Sequence, residues 1–243
     1  MKTLLKSVVL LSAFATPLYA ADYEAGVSKL NKGEFHQAIS EFKPLVDEGF
    51  APALYQMGEI YLNGWGVRKD ARKAFELFTQ ASEKNYPDAL FQLSIMYSEG
   101  KMTKKDLTTA FKLMERAAKK DLASAQFNVG VMYANGEGIH QNYNKAVYWY
   151  EQAANQNYAL AQFNLALLHY EGKGVPRSVK QSYFWNMMAA HNGYSDAIKS
   201  AEMDQRQLNE HQIKEIRADV DRKRRQIKHQ QDVQAEQARV STL

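Results

Sequence analysis

The chain has 243 residues, with 31 Lys and Arg against 27 Asp and Glu. A formal charge of +4 is too small to argue for a nucleic-acid partner. The complete lack of cysteine excludes a fold clamped by disulfides, and the 45% hydrophobic content is that of a soluble globular protein.

Residues 1–20 read as a secretory signal peptide. Lys2 and Lys6 give a positive start, Ser7 to Ala15 is apolar, and Leu18-Tyr19-Ala20 forms a small-residue end after Thr16-Pro17. The apolar run is shorter than the roughly 20 residues of a spanning helix. Cleavage near Ala20 leaves 223 residues (243−20), lowers the charge from +4 to +2 and predicts a periplasmic or secreted protein with no transmembrane span. With no cysteine there is no lipoprotein anchor.

Residues 21–51 read as a short N-terminal capping repeat of tetratricopeptide type. Leu30-Asn31-Lys32-Gly33 parallels Tyr61-Leu62-Asn63-Gly64, and a tight turn at Gly33 leads into Ala38. Pro44 falls inside the second helix of this unit and is expected to kink it. One face has no neighbour, so a polar outer side is expected.

Four regular units follow, at 52–87, 88–123, 124–159 and 160–195. Ala53, Ala89, Ala125, Ala161 and Ala197 stand 36 residues apart (89−53 = 36), and Gly64, Gly100, Gly136 and Gly172 keep the same step. Gly58, Ser94, Gly130 and Ala166 follow it too, as do Ala74, Ala110, Ala146 and Ser182. A fixed period between about 20 and 50 residues marks a repeat array. Inside each unit small and apolar residues recur at helical spacing, break at a Gly-containing loop, and resume. The prediction is an all-α fold, a right-handed α-solenoid of stacked antiparallel helix pairs. Trp149 and Trp185 share one slot in the apolar second helices and are expected to pack between pairs. Trp65, between Gly64 and Gly66, is either an exposed anchor or tucked onto the next helix.

Residues 196–233 read as C-terminal capping helices. Asn209 with Gln212 fits a capping box, and Ile213, Ile216, Val220 and Ile227 mark one side of the last helix. The run Arg222, Lys223, Arg224 and Arg225 gives a solvated face or a weak contact with an anionic surface. Residues 234–243 are expected to fray.

The stretches ALYQMGEIYLNGWGV from Ala53, AQFNVGVMYANGEGI from Ala125 and AQFNLALLHYEGKGV from Ala161 resemble the Sel-one-like repeat family, relatives of the tetratricopeptide repeats. The copy from Ala89 departs from the pattern, with Ser94 and Met102 in glycine positions. The resemblance covers about residues 52–201. It implies a curved surface lined by first helices, serving as a docking groove for a peptide or partner protein, with cell-envelope maintenance as the role it suggests.

Transferred to this sequence, the groove positions are Tyr55, Gln56 and Glu59 in the first unit, Phe91 and Gln92 in the second, Phe127 and Asn128 in the third, and Phe163 and Asn164 in the fourth. They form an aromatic ladder beside an amide ladder. An amide offers both a donor and an acceptor to an extended backbone. The alternative is structural, with aromatics packing inside the stack and amides bonding to neighbouring loops. Catalysis needs a constellation that converges. The six histidines are scattered, Ser28 and Ser178 lack the Ser-x-x-Lys spacing of β-lactam-binding enzymes, and no metal-ligand spacing is present. His169 stands in a tyrosine slot and reads as a core aromatic substitute. A non-catalytic protein without cofactor is therefore expected, ahead of a peptidoglycan-related enzyme or a secreted effector that contacts a host protein.

Overall fold

Among the described residues, twelve α-helices and no strand are present. The structure, a computed structural model, describes residues 16–241. The signal-peptide reading therefore falls mainly on residues 1–15, outside the described residues. The fold is the all-α stack of helix pairs that the repeats predict. It divides into two compact units, residues 1–105 and 106–243.

The first unit holds α1 (Thr16–Asn31), α2 (Phe35–Asp47), α3 (Ala51–Asn63), α4 (Ala71–Glu83) and α5 (Pro87–Glu99). The second holds α6 (Leu107–Ala118), α7 (Ala123–Asn135), α8 (Tyr143–Asn155), α9 (Ala159–Glu171), α10 (Val179–His191), α11 (Asp196–Gln205) and α12 (Glu210–Ser241). From α1 to α5 and from α6 to α11, helices adjacent in sequence pack against one another within their unit, while α12 packs on α10.

The helix ends explain the fixed period. First helices α3, α5, α7 and α9 stop at Gly64, Gly100, Gly136 and Gly172, all left-handed, where an L side chain would be strained. Second helices α4, α6, α8 and α10 start at Asp70, Asp106, Asn142 and Ser178. Each of these side chains accepts from the backbone N–H three residues on, satisfying a donor that the helix itself leaves open. These four caps are themselves spaced by 36 (106−70 = 36).

In some pairs the two helices approach closely through a glycine. A Cβ on Gly58 of α3 would lie 2.5 Å from the Phe78 ring of α4, and one on Gly130 of α7 would lie 2.5 Å from the Tyr150 ring of α8. Fully buried side chains include Leu54, Ile60 and Phe78 in the first unit, and Val129, Leu165, Tyr183 and Met188 in the second.

Successive pairs in the second unit are joined by buried amides. Gln126 Nε2 donates to the Ala118 carbonyl, while its Oε1 accepts from Gln156 Nε2 at 2.8 Å. One repeat later Gln162 Nε2 donates to the Ala154 carbonyl and its Oε1 accepts from Asn192 Nδ2, again at 2.8 Å. Both glutamines are almost fully buried, so each amide needs these partners.

The caps combine agreement and correction. Gly33 (φ +76°) makes the tight turn between α1 and α2, and Pro44 lies inside α2, three residues from its end. Trp65 is 37% exposed yet stacks on Phe35 of α2, with centroids 6.0 Å apart, so it tucks onto the preceding pair rather than the next helix. At the other end the capping box forms in both directions. Gln212 N donates to Asn209 Oδ1 at 2.9 Å, and Asn209 N to Gln212 Oε1 at 3.1 Å. Ile216, Val220 and Ile227 are buried, Ile213 is half-buried, and α12 packs against α10. α12 runs from Glu210 to Ser241, through most of the segment 234–243 expected to fray. The sequence after Gly193 holds neither Gly nor Pro to stop it. Among the described residues no helix is long and apolar enough to cross a membrane.

Candidate functional site

All nine groove positions predicted from the sequence are half-buried side chains on first helices. Tyr55, Gln56, Glu59, Phe91 and Gln92 belong to the first unit. Phe127, Asn128, Phe163 and Asn164 belong to the second.

The aromatic ladder works chiefly as packing. Tyr55 meets Phe78 and Tyr86, with centroids 5.7 and 5.5 Å away. Phe127 meets Tyr150 and Tyr158 at 5.8 and 5.2 Å, and Phe163 meets Tyr194 at 4.9 Å. The partners Tyr86, Tyr158 and Tyr194 lie in the turns that lead into the following first helices, so each ring fastens one repeat to the next. The sequence reading missed these partners. Phe50, Tyr86, Leu122, Tyr158 and Tyr194 keep the 36-residue step and could have been found by it.

The amide ladder divides by unit. In the first unit Gln56 Nε2 donates to the Tyr23 hydroxyl at 3.3 Å, and Gln92 bonds the Tyr55 hydroxyl. In the second, Asn128 Nδ2 donates to the Ser124 carbonyl of its own helix at 2.7 Å, and Asn164 Nδ2 to the Leu160 carbonyl at 2.8 Å. The Oδ1 atoms of Asn128 and Asn164 accept no hydrogen bond among the described residues.

The first unit concentrates acid at the ladder. Burial first, and then the neighbouring Asp88, raise the Glu59 carboxyl above its ordinary range, and Glu59 Oε1 is buried without a hydrogen-bond partner. Burial likewise raises Asp88. The Tyr55 phenol is pushed up to about 12 by burial, with Glu59 adding to the effect. These groups form an electronegative, partly desolvated patch with one unused acceptor, Glu59 Oε1.

The second unit is more apolar at the same place. Positions equivalent to Glu59 hold Val131 and Leu167 (131−59 = 72; 167−131 = 36), and Leu167 is 44% exposed. The sequence reading named Glu59 but neither of these. Its lone first-type helix over Asp196 to Arg206 is present as α11, with Met203 in the slot of Leu167.

Residues considered for catalysis have structural roles. Ser178 Oγ accepts from Gln181 N at 3.2 Å as the cap of α10. His169 is half-buried, and burial lowers its imidazole below the ordinary range, consistent with a neutral ring in a tyrosine slot. In the basic run, Arg222 pairs with Asp219 at 2.7 Å and Arg224 lies 3.8 Å from Asp221. The run therefore presents less charge than its sequence suggests.

Comparison with known proteins agrees with this architecture. The Sel1 repeat family matches four segments, 51–86, 87–122, 123–158 and 159–194. A Sel1 repeat protein from Oxalobacter formigenes superposes with a TM-score of 0.69 at 28% identity, covering 74% of this chain and 76% of that one. The protective antigen c5321 of uropathogenic Escherichia coli, which displays an SLR fold, gives 0.55 at 19% identity, over 86% of this chain and 54% of that one. The immunity protein PA5088 from Pseudomonas aeruginosa gives 0.54 at 19%, over 86% and 82%. No curated protein matches the chain. With the helix caps and loop glycines of four consecutive units in one register, and the family matched over all four, the chain is a member of the Sel1 repeat family.

Proposed function

We propose that the protein is an exported, non-catalytic scaffold that docks an extended peptide or a partner protein along its first helices. The observation that carries this reading is the pair of unused amide oxygens at Asn128 and Asn164, one per repeat, on a half-exposed helix face. Such oxygens can accept backbone N–H groups from an extended chain. The buried but unpaired Glu59 oxygen adds an acidic acceptor in the first unit.

Photo-crosslinkers placed in cells at 128 and 164 should capture the same partner, and a crosslinker at exposed Lys180 on α10 should not. Equal capture at all three positions, or a partner still recovered in full after Asn128→Ala and Asn164→Ala, would remove the groove from the proposal. Export is tested by N-terminal sequencing and fractionation. The expected result is a chain cut near Ala20 in the periplasm, whereas recovery from the medium would favour a secreted effector.

A further inference from the structure

A cavity of about 170 Å³ lies in the second unit among α9, α10 and α11. Phe163, Leu167, Tyr170 and Met203 supply apolar wall, and Ser182, Asn186 and Asp204 are polar. The opening is marked by exposed Leu167, Tyr170 and Met203. The volume is several times the roughly 30 Å³ share of one water, enough for a long side chain.

The three polar residues occupy core slots of the repeat. Ser182 replaces Ala74, Ala110 and Ala146. Asn186 replaces Phe78, Met114 and Tyr150 (186−150 = 36). Asp204 replaces Ile60, Met96, Met132 and Leu168 (204−168 = 36). All the residues they replace are buried and apolar. Their substitutes are just as buried, with Asp204 2%, Asn186 4% and Ser182 1% exposed. Three departures from the repeat pattern, scattered in sequence, thus converge at one point. Departures of this kind collect at functional sites.

The hydrogen bonds show what the point lacks. Ser182 Oγ donates to Asp204 Oδ2 at 2.7 Å, and Asn186 Nδ2 donates to the same oxygen at 2.8 Å. These donations orient the Asn186 amide, whose Oδ1 is buried with no donor. Neutral groups alone satisfy the carboxyl of Asp204, and burial raises its pKa. The unmet need is positive charge with N–H donors.

We propose that this cavity is a socket for a lysine or arginine side chain of the docked peptide or protein. The aliphatic stem lies along Phe163, Leu167 and Met203, and the cationic head reaches Asp204 and the Asn186 oxygen. The identity of the occupant rests on the docking reading above. The cavity and its unmet acceptors do not.

The test separates the two. The probe is Nα-acetyl-lysine N-methylamide, followed by NMR at the Met203 methyl and the Asn186 side-chain amide, with the norleucine analogue as control. The lysine probe should shift both signals and bind at least tenfold more tightly than norleucine. Asp204→Asn, which keeps both incoming hydrogen bonds, should abolish that preference. Equal binding of norleucine, no change in Asp204→Asn, or no shift at millimolar probe overturns the socket. Should Asp204→Asn fail to fold, Leu167→Trp at the exposed mouth should block the probe, and undiminished binding overturns the socket as well. An extended lysine peptide is tested in parallel on Asn128→Ala and Asn164→Ala. If these weaken the peptide while the lysine probe fails, the socket falls and the docking face stands. If the probe binds and the peptide ignores both substitutions, the docking face falls instead.

Discussion

Gly130 of α7 faces the ring of Tyr150 on α8 so closely that a single added carbon would stand 2.5 Å from it. Where the last repeat carries Ala166 instead of glycine, the facing residue is Asn186 instead of an aromatic (166−130 = 36; 186−150 = 36). The two positions thus trade volume. Gly130→Leu should cost about 1–3 kcal/mol or more through overpacking, read as a lower midpoint in thermal or urea unfolding. Gly130→Ala should cost less, and its cost should shrink further when it is measured in a Tyr150→Asn background. Additive losses in that double mutant would contradict a shared contact.

Gln162 is fully buried and sits in the slot held by Leu54 and Leu90 in earlier repeats (90−54 = 36; 162−90 = 72). Gln162→Leu leaves Asn192 and the Ala154 carbonyl without this partner, and should cost about 1–3 kcal/mol in equilibrium unfolding. Adding Asn192→Lys, the residue found at 84 and 120, should recover part of the loss, because the lysine end can reach water.

Ser178→Ala removes the cap of α10 and should lower stability by about 0.5–2 kcal/mol, whereas Ser178→Asp should restore it. The same variants separate cap from nucleophile. Any β-lactam hydrolysis that vanishes with Ser178→Ala and fails to return with Ser178→Asp would make the hydroxyl chemical rather than structural.

Asp204 supplies the pH dependence. Its folded pKa lies above the unfolded value, because burial disfavours the anion. Between the unfolded value of about 3.9 and the raised folded value, the folded protein holds a proton that the unfolded chain has released. The resulting destabilisation is absent below the unfolded pKa. It grows as pH rises and is complete above the folded pKa. Asp204→Asn should therefore melt higher than the wild type at neutral pH, with the gap closing below about pH 4. A gap that widens on acidification would mean that the carboxylate is stabilised in the fold.

The helix pairing and the Gly-ended turns were legible because one period repeats them four times. Gly64 and Gly136 each announce the same turn. The site was legible only in part. Tyr55, Phe127 and Phe163 were found as a ladder, but their packing partners Tyr86, Tyr158 and Tyr194 escaped notice, since each sits 31 residues further on rather than 36 (86−55 = 31). Asp204 was hidden for another reason. A lone first-type helix was legible at 196–206, but the pattern weakens after Ala197, so the apolar slot that Asp204 fills was not. In α12 the local sequence lacks a stop signal, so the end of that helix was not legible in the sequence.

The return of α12 onto α10 also bears on how such an array changes in length. A unit appended after α11 would compete with α12 for α10, whereas duplication of a whole 36-residue segment such as 124–159 keeps every cap, glycine and amide seam in phase. Descendants with longer or shorter arrays should therefore have gained or lost copies from the interior, with the Ser182–Asn186–Asp204 cluster and its long closing helix inherited together as an unchanging terminus.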